Sequence, residues 1–187
     1  MTKFIAMNLR ILLIFILTWT SCKDDGKRDK IVVQSSHVEE VQIAYNRDFQ
    51  LEVYDYDGLE KFLSEEDNKV YVVNFWATWC KPCIKELPYF EELNGKYSDQ
   101  NVKVILVSLD FPHLYESKLK PFIAEKKLTS KVIALDDVDM DTWIPKVSES
   151  WSGAIPATII YKNDNRKFYE RSFTYEELET EVKQFLN

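Results

Sequence analysis

From about residue 51 to the end of the chain, short apolar runs alternate with stretches whose apolar positions recur at helical intervals. Residues 70–76 read Val-Tyr-Val-Val-Asn-Phe-Trp, an apolar run rich in β-branched and aromatic residues that predicts a buried strand. Residues 83–97 predict a helix, bent at Pro88 because proline lacks a donor N–H. The pattern also predicts strands at 102–109 and 132–135, a hairpin joining 157–161 to 167–172 across 163–165, and helices at 58–63, 114–127, 141–150 and 175–186.

This alternation of strands and helices indicates one α/β domain over residues 51–187. Its roughly 137 residues suit one domain with its own core and are too few for two domains of common size. The alternating residues Leu51-Glu52-Val53 predict an edge strand at the start of the domain. Residues 22–50 are mostly polar and charged, so we interpret most of them as a tether.

The first 21 residues have the pattern of a targeting segment. Lys3 and Arg10 give a positive start, and residues 11–17 form an uninterrupted apolar stretch. These features predict a secretory signal peptide over residues 1–21. A membrane span is the weaker interpretation, because a spanning helix needs about 20 apolar residues.

Cys22 follows this segment directly. Thr20-Ser21-Cys22 resembles the cleavage box of bacterial lipoproteins, in which the cysteine becomes the lipidated first residue, although Trp19 departs from the usual leucine. Residues 23–25 resemble a signal that sends some lipoproteins to the cell surface. The resemblance implies a lipid anchor at Cys22 and a cell-envelope location, in the periplasm or on the outer-membrane surface. The alternative is an ordinary spare thiol.

The charge of the chain limits its partners. Without residues 1–21 the chain keeps 22 of its 24 basic residues and all 31 acidic residues, a net charge of −9. This acidic excess disfavours nucleic acid and anionic lipid as partners. We therefore expect membrane association through a lipid anchor and not through surface charge.

Two cysteines lie where a predicted strand passes into a predicted helix. In Trp79-Cys80-Lys81-Pro82-Cys83, two thiols separated by two residues can exchange one disulfide for two electrons. A helix N-terminus favours a thiolate, because its free N–H groups and dipole stabilise negative charge. Cys80 is therefore the predicted nucleophile, and Cys83, one turn further on, is the predicted resolving thiol.

Metal-binding interpretations fit these residues less well. Half of a zinc site would need two further sulfur or imidazole ligands, but the chain offers only Cys22 and the isolated His37 and His113. A structural disulfide would close a loop of only about four residues and would constrain the unfolded chain little. The acidic residues of 136–141 lack the glycine turn and terminal glutamate of an EF-hand, so a helix-capping run is the better interpretation. We expect neither a metal nor another cofactor.

Residues 72–83, together with Glu86-Leu87-Pro88, resemble the active-site string of the TlpA/ResA-like thiol-disulfide oxidoreductases, which are exported members of the thioredoxin superfamily. The resemblance extends over about residues 51–187. It implies a thioredoxin-like three-layer α/β/α fold, with a central mixed sheet flanked by helices. Residues 111–138 resemble the helix-and-strand insertion of this family.

The resemblance implies a substrate-binding edge opposite the thiols. Ile155-Pro156 corresponds to the family's cis-proline loop, so we expect a cis peptide bond there. The backbone of Ile155 could then pair with an extended substrate and hold its sulfur near Cys80. Trp79 is expected to shape the same surface.

The resemblance also implies that Glu86 handles the proton of Cys83. A carboxyl partly buried near thiols would have a raised pKa and could supply or receive that proton. The alternative is an exposed helical glutamate beside Lys85. Asn74 stands where thioredoxin has a buried acid, and an amide cannot move protons, which favours Glu86.

The leading hypothesis is an extracytoplasmic thiol-disulfide oxidoreductase that reduces protein disulfides through a Cys80/Cys83 dithiol. The resemblance implies the reducing direction and a membrane thiol transporter as electron donor. One alternative is a peroxiredoxin-like thiol peroxidase, but Thr78 precedes Cys80 without the proline that such a site requires. Another is a non-catalytic thioredoxin-like binding module, which has no chemical need for both thiols.

Overall fold

The computed structural model describes residues 49–186, which form a mixed six-stranded sheet. The strands are β1 (Glu52–Tyr54), β2 (Val70–Trp76), β3 (Val102–Ser108), β4 (Lys131–Leu135), β5 (Ala157–Lys162) and β6 (Asn165–Tyr169). Their order across the sheet is β1-β4-β3-β2-β5-β6. Within this order, β1, β4, β3 and β2 run parallel to one another, whereas β5 is antiparallel to both β2 and β6.

Within residues 49–186, five α-helices cover the sheet. They are α1 (Tyr56–Glu60), α2 (Lys81–Tyr97), α3 (Lys120–Lys126), α4 (Met140–Val147) and α5 (Tyr175–Leu186). A short 3₁₀ helix (Pro112–Leu114) and a π-helical turn (Tyr115–Leu119) lead into α3, and another 3₁₀ helix (Ser98–Gln100) follows α2. Within residues 49–186, no helix combines the length and apolar character needed to cross a membrane.

The sheet separates two apolar cores. All seven residues of β2 are buried, because alternate side chains enter opposite cores. One core lies under α2, α3 and α5 and includes Val72, Phe90, Ile123 and Val182. The other lies under α1 and α4 and includes Val73, Leu59 and Trp143. These layers confirm the predicted three-layer α/β/α fold with a central mixed sheet.

The predicted element bounds are confirmed for β2 and α5 and differ elsewhere by a few residues. Helix α1 begins two residues earlier than predicted, because Asp55 caps it by accepting a hydrogen bond from the Gly58 N–H at 2.9 Å. The predicted hairpin turn was one residue too long. Asn165 already pairs with Lys162, and Asn163 closes the turn with a φ of 50°.

Strand β1 is an edge strand, as predicted, and β4 lies between it and β3. Residues 111–138 contain α3 and β4, the helix and strand expected in this segment. The predicted signal peptide, the predicted lipidation site Cys22 and almost all of the predicted tether lie outside the described residues.

The pairing of β5 with β2 determines where the two halves of the site meet. Ala157, the first residue of β5, pairs with Phe75 near the end of β2. Because the pair is antiparallel, the residues before β5 lie beside the residues after β2. Ile155-Pro156 is thereby brought next to the cysteine pair.

Candidate active site

Cys80 and Cys83 form a disulfide at the start of α2, with their Cα atoms 5.3 Å apart. Cys80 is the N-cap residue, and its Sγ accepts a hydrogen bond from the Cys83 N–H at 3.3 Å. Cys83 is completely buried and Cys80 is 6% exposed. The sulfur nearer to solvent is therefore the one predicted to attack, and it lies where helical N–H groups stabilise negative charge.

The peptide bond between Ile155 and Pro156 is cis, which confirms the prediction. Pro156 is buried, and the carbonyl oxygen of Ile155 lies 3.7 Å from Cys80 Sγ. Both residues precede the first ladder pair of β5. The backbone of Ile155 thus borders the outer sulfur at a point that the sheet ladder does not occupy.

Glu86 is buried beneath the disulfide, with 1% of its surface exposed, so the exposed alternative is wrong. Its Oε1 accepts a hydrogen bond from Asn74 Nδ2 at 3.0 Å, and its Oε2 accepts one from the Phe173 N–H at 2.8 Å. Burial raises the pKa of Glu86 to about 7, although these N–H donors and nearby Arg171 oppose the rise. At neutral pH this carboxyl can either hold or release a proton.

Asn74 joins Glu86 to the strand that follows the cis-proline. Its Nδ2 also donates to Thr158 Oγ1 at 3.1 Å, two residues after Pro156. Asn74 is completely buried, on the face of β2 that α2 covers. The amide that replaces thioredoxin's buried acid therefore orients the Glu86 carboxyl by donating to it.

Asp110 belongs to the site and has no counterpart among the predicted site residues. Its carboxylate accepts hydrogen bonds from the Thr78 N–H at 3.0 Å and from Ser108 Oγ at 2.8 Å, and it also binds the Thr78 hydroxyl. Asp110 is 1% exposed and follows the end of β3, beside the end of β2. It fixes the turn that carries Cys80. The sequence signal that could have identified Asp110 is its position just after a predicted parallel strand, because the ends of such strands line the sites of α/β sheets.

Two aromatic side chains flank this Thr78–Asp110 contact and face solvent. Trp79, predicted to shape the surface, is 54% exposed. Phe111, which is not among the predicted site residues, is 58% exposed and stacks on His113. In contrast, Trp143 and Trp151 are buried and pack in the core under α1 and α4.

Among the residues that the structure describes, cavities of two sizes border α2. One of about 300 Å³ is lined by Glu86, by Pro82, Lys85 and Tyr89 of α2, and by residues 172–174. A larger one of about 700 Å³ lies between α2 and the end of α3, next to Ile84. The smaller cavity therefore borders the residue that carries the buried carboxyl.

The acidic segment 136–141 caps backbone N–H groups. The Asp137 carboxylate accepts hydrogen bonds from the N–H groups of Tyr56 at 3.1 Å and Asp139 at 2.9 Å. Within residues 49–186 no three His, Cys, Asp or Glu side chains are grouped to hold a metal ion. Asp137 thus caps the start of α1 and the loop before α4, whereas Asp139, the N-cap residue of α4, makes no side-chain capping hydrogen bond.

The sheet order, the cis-proline and the paired cysteines define a thioredoxin-like protein, and comparison with known proteins agrees. The sequence model of the AhpC/TSA family matches residues 46–166. This match covers more than half of the chain, so the chain belongs to the AhpC/TSA family.

Among curated relatives, the thiol-disulfide oxidoreductase ResA of Bacillus cereus is 32% identical over 115 residues, covering 61% of each chain. The alignments span from 34% to 61% of the length of the first relatives. Two solved structures show the same fold. The thioredoxin domain of a thiol-disulfide oxidoreductase from Bacteroides vulgatus gives a TM-score of 0.51 at 23% identity, covering 71% of this chain and 90% of that one. A secreted thiol-disulfide isomerase from Corynebacterium glutamicum gives 0.54 at 18% identity, covering 64% and 71%.

Proposed function

We propose that this protein is an extracytoplasmic thiol-disulfide oxidoreductase that reduces protein disulfides through Cys80 and Cys83. The observation that carries the proposal is the Cys80–Cys83 disulfide at the N-terminus of α2, with the Ile155 carbonyl 3.7 Å from the outer sulfur. A nucleophile, a resolving thiol and a backbone edge for the substrate are thereby side by side.

The reaction begins with the reduced dithiol. The Cys80 thiolate attacks one sulfur of the substrate disulfide, the substrate S–S bond breaks, and a mixed disulfide forms while the released substrate sulfur takes up a proton. The Cys83 sulfur then loses its proton and attacks Cys80 Sγ. The Cys80–Cys83 disulfide forms, the second substrate sulfur leaves as a thiol, and two electrons have passed to the substrate.

Glu86 accepts the Cys83 proton in the second step. Glu86 lies three residues after Cys83 on α2, so the two side chains share a helix face, and both are buried. Its pKa of about 7 leaves a useful fraction ionised at neutral pH. The proton can pass to water through the 300 Å³ cavity that Glu86 lines.

The substrate binds across the outer sulfur as an extended segment. The Ile155 backbone pairs with it, since Ile155-Pro156 precedes the β5 ladder. The exposed rings of Trp79, next to Cys80 in the chain, and of Phe111, next to Asp110, supply apolar contact to the substrate. An exposed, locally unfolded disulfide segment suits this surface better than one buried in a folded domain.

The reducing direction and the cell-envelope location rest on sequence features and on relatives. The curated relatives are named thiol-disulfide oxidoreductase ResA, and one solved neighbour is described as secreted. Residues 1–21 supply a secretory signal and Cys22 the lipid anchor, with a membrane thiol protein as electron donor.

Turnover with insulin tests this proposal, with dithiothreitol as the electron source. The wild-type protein should accelerate insulin reduction, Cys80→Ser should abolish the acceleration, and Cys83→Ser should accumulate the mixed disulfide. A reduction potential near −270 mV would support a reductase, and one near about −120 mV would contradict that direction. Peroxide consumption that needs Cys80 without insulin reduction would replace the proposal with a thiol peroxidase.

A further inference from the structure

The loop that leads into the cis-proline is bound by the carboxylate of the residue that follows β6. Glu170 directly follows β6 and accepts hydrogen bonds from the Ser152 N–H at 3.1 Å, the Ala154 N–H at 3.2 Å and the Ser152 hydroxyl. These three donors bring the pKa of Glu170 below its usual value, chiefly through the Ser152 hydroxyl. Residues 152–155, here named the docking loop, are therefore fastened immediately before Pro156.

The opposite side of the docking loop is also fixed. Trp151 Nε1 donates to the Ala154 carbonyl at 2.8 Å, while the Trp151 ring packs on Phe75 with centroids 4.8 Å apart. Gly153 adopts a φ of 90°, and a Cβ there would lie 3.1 Å from Ile144 Cδ1. Trp151 therefore fixes the docking loop from the core through the Ala154 carbonyl. Glu170 fixes the same loop by binding the N–H groups of Ser152 and Ala154.

Glu170 contacts the docking loop but neither thiol, although the Ile155 carbonyl of that loop lies 3.7 Å from Cys80 Sγ. Glu170 contacts residues 152 and 154, whereas Cys80 and Glu86 take their hydrogen bonds from α2, Asn74 and Phe173. A group that fixes the Ile155 backbone without touching either thiol should affect substrates that pair with that backbone. It should leave the sulfur chemistry itself unchanged.

We propose that Glu170 is a positioning residue that holds the docking loop in the form that pairs with a peptide substrate, and so sets selectivity for peptide over small disulfides. The inference rests on the proposed function. In Glu170→Gln the side-chain amide keeps one acceptor oxygen and turns an N–H₂ toward loop N–H donors, so at least one loop contact is lost. The loop should then sample forms that cannot pair with a backbone.

Steady-state reduction of insulin and of cystamine, a small disulfide without peptide groups, tests this inference. For Glu170→Gln we expect the KM for insulin to rise roughly tenfold with kcat nearly unchanged. Turnover of cystamine and the reduction potential of the Cys80–Cys83 couple should match wild type. Ser152→Ala, which removes the hydroxyl donor alone, should raise the insulin KM by roughly twofold to threefold, and it serves if Glu170→Gln does not fold.

Glu181→Gln is the matched control, because Glu181 binds Tyr169 and Lys167 of the same strand but not the docking loop. It should leave both substrates unaffected. An unchanged insulin KM in Glu170→Gln, or an equal loss with insulin and cystamine, would overturn the positioning role. Failure of the wild-type protein to reduce either disulfide would instead refute the proposed function.

Discussion

Glu86 and Glu179 both connect α2 to the C-terminal part of the chain, yet their surroundings shift their pKa values in opposite directions. Glu86 is buried and receives only N–H groups of Asn74 and Phe173, so burial raises its pKa to about 7. Glu179, on α5, binds Lys183 at 2.7 Å and Lys96 at 2.5 Å. These cations, with two tyrosine hydroxyls, hold the pKa of Glu179 well below its usual value.

This difference in pKa gives the two carboxyl groups different roles: Glu179 stabilises the contact between helices, and Glu86 can exchange a proton. A carboxylate surrounded by cations and hydroxyls stays ionised across the physiological range, so Glu179 can only hold elements together. A carboxyl buried with neutral donors changes protonation near neutral pH. Of these two regions, only the one beneath the disulfide can take up the proton that dithiol chemistry releases.

The largest expected effect concerns stability against pH. The pKa of Glu86 is about 7 in the folded protein against 4.5 ordinarily, which corresponds to ~3 kcal/mol. Because the native state binds this proton more tightly, Glu86 contributes this stability below pH 4.5 and loses it as the pH rises to 7. Urea unfolding of the oxidised protein should show this decline, and Glu86→Gln should flatten it. An unchanged slope in Glu86→Gln would assign the pH dependence to other groups.

The next effect concerns turnover. Glu86→Gln should lower disulfide reduction at neutral pH by about a hundredfold, because a positioned acid–base group typically contributes at least that much. Stopped-flow resolution of the mixed disulfide should locate the loss in the Cys83 step. Glu179→Gln is the control, also on a helix facing this part of the core, and it should stay within about twofold. Equal losses in both variants would indicate a structural cause.

A smaller effect is expected from the amide beside Glu86. Asn74→Leu removes one of the two N–H donors to the carboxyl, so the pKa of Glu86 should rise further, by about one pH unit. The pH profile of turnover should move by the same amount. Thr158→Val removes another partner of Asn74 and leaves the Glu86 contacts in place, so its profile should not move.

Local patterns predicted much of this architecture. The apolar run at 70–76 and the amphipathic run at 175–186 coincide with β2 and α5, because core burial imposes a period on consecutive residues. The redox role of the Cys-x-x-Cys pair could also be predicted from the sequence, because the spacing of the cysteines and the flanking strand and helix indicate dithiol chemistry. The cis bond before Pro156 required the family resemblance, because an X-Pro bond alone favours trans.

Contacts between distant segments could not be predicted in the same way. The helical spacing of Cys83 and Glu86 put them on one face, but the burial of Glu86 depends on Phe173, 87 residues further along. Likewise, Glu170 meets residues 152 and 154 only because the β5–β6 hairpin returns to that point. Charge type alone did not separate Glu170 from the other surface carboxylates of this acidic chain.

The most direct test of the account is a ¹³C NMR titration of the Glu86 side-chain carboxyl in the oxidised protein, assigned with Glu86→Gln. In this state both cysteines are bonded and do not titrate, so the midpoint belongs to the carboxyl. We predict a midpoint near 7, as burial among neutral donors requires. A midpoint at or below 4.5 would contradict the assignment of Glu86 as the proton acceptor for Cys83.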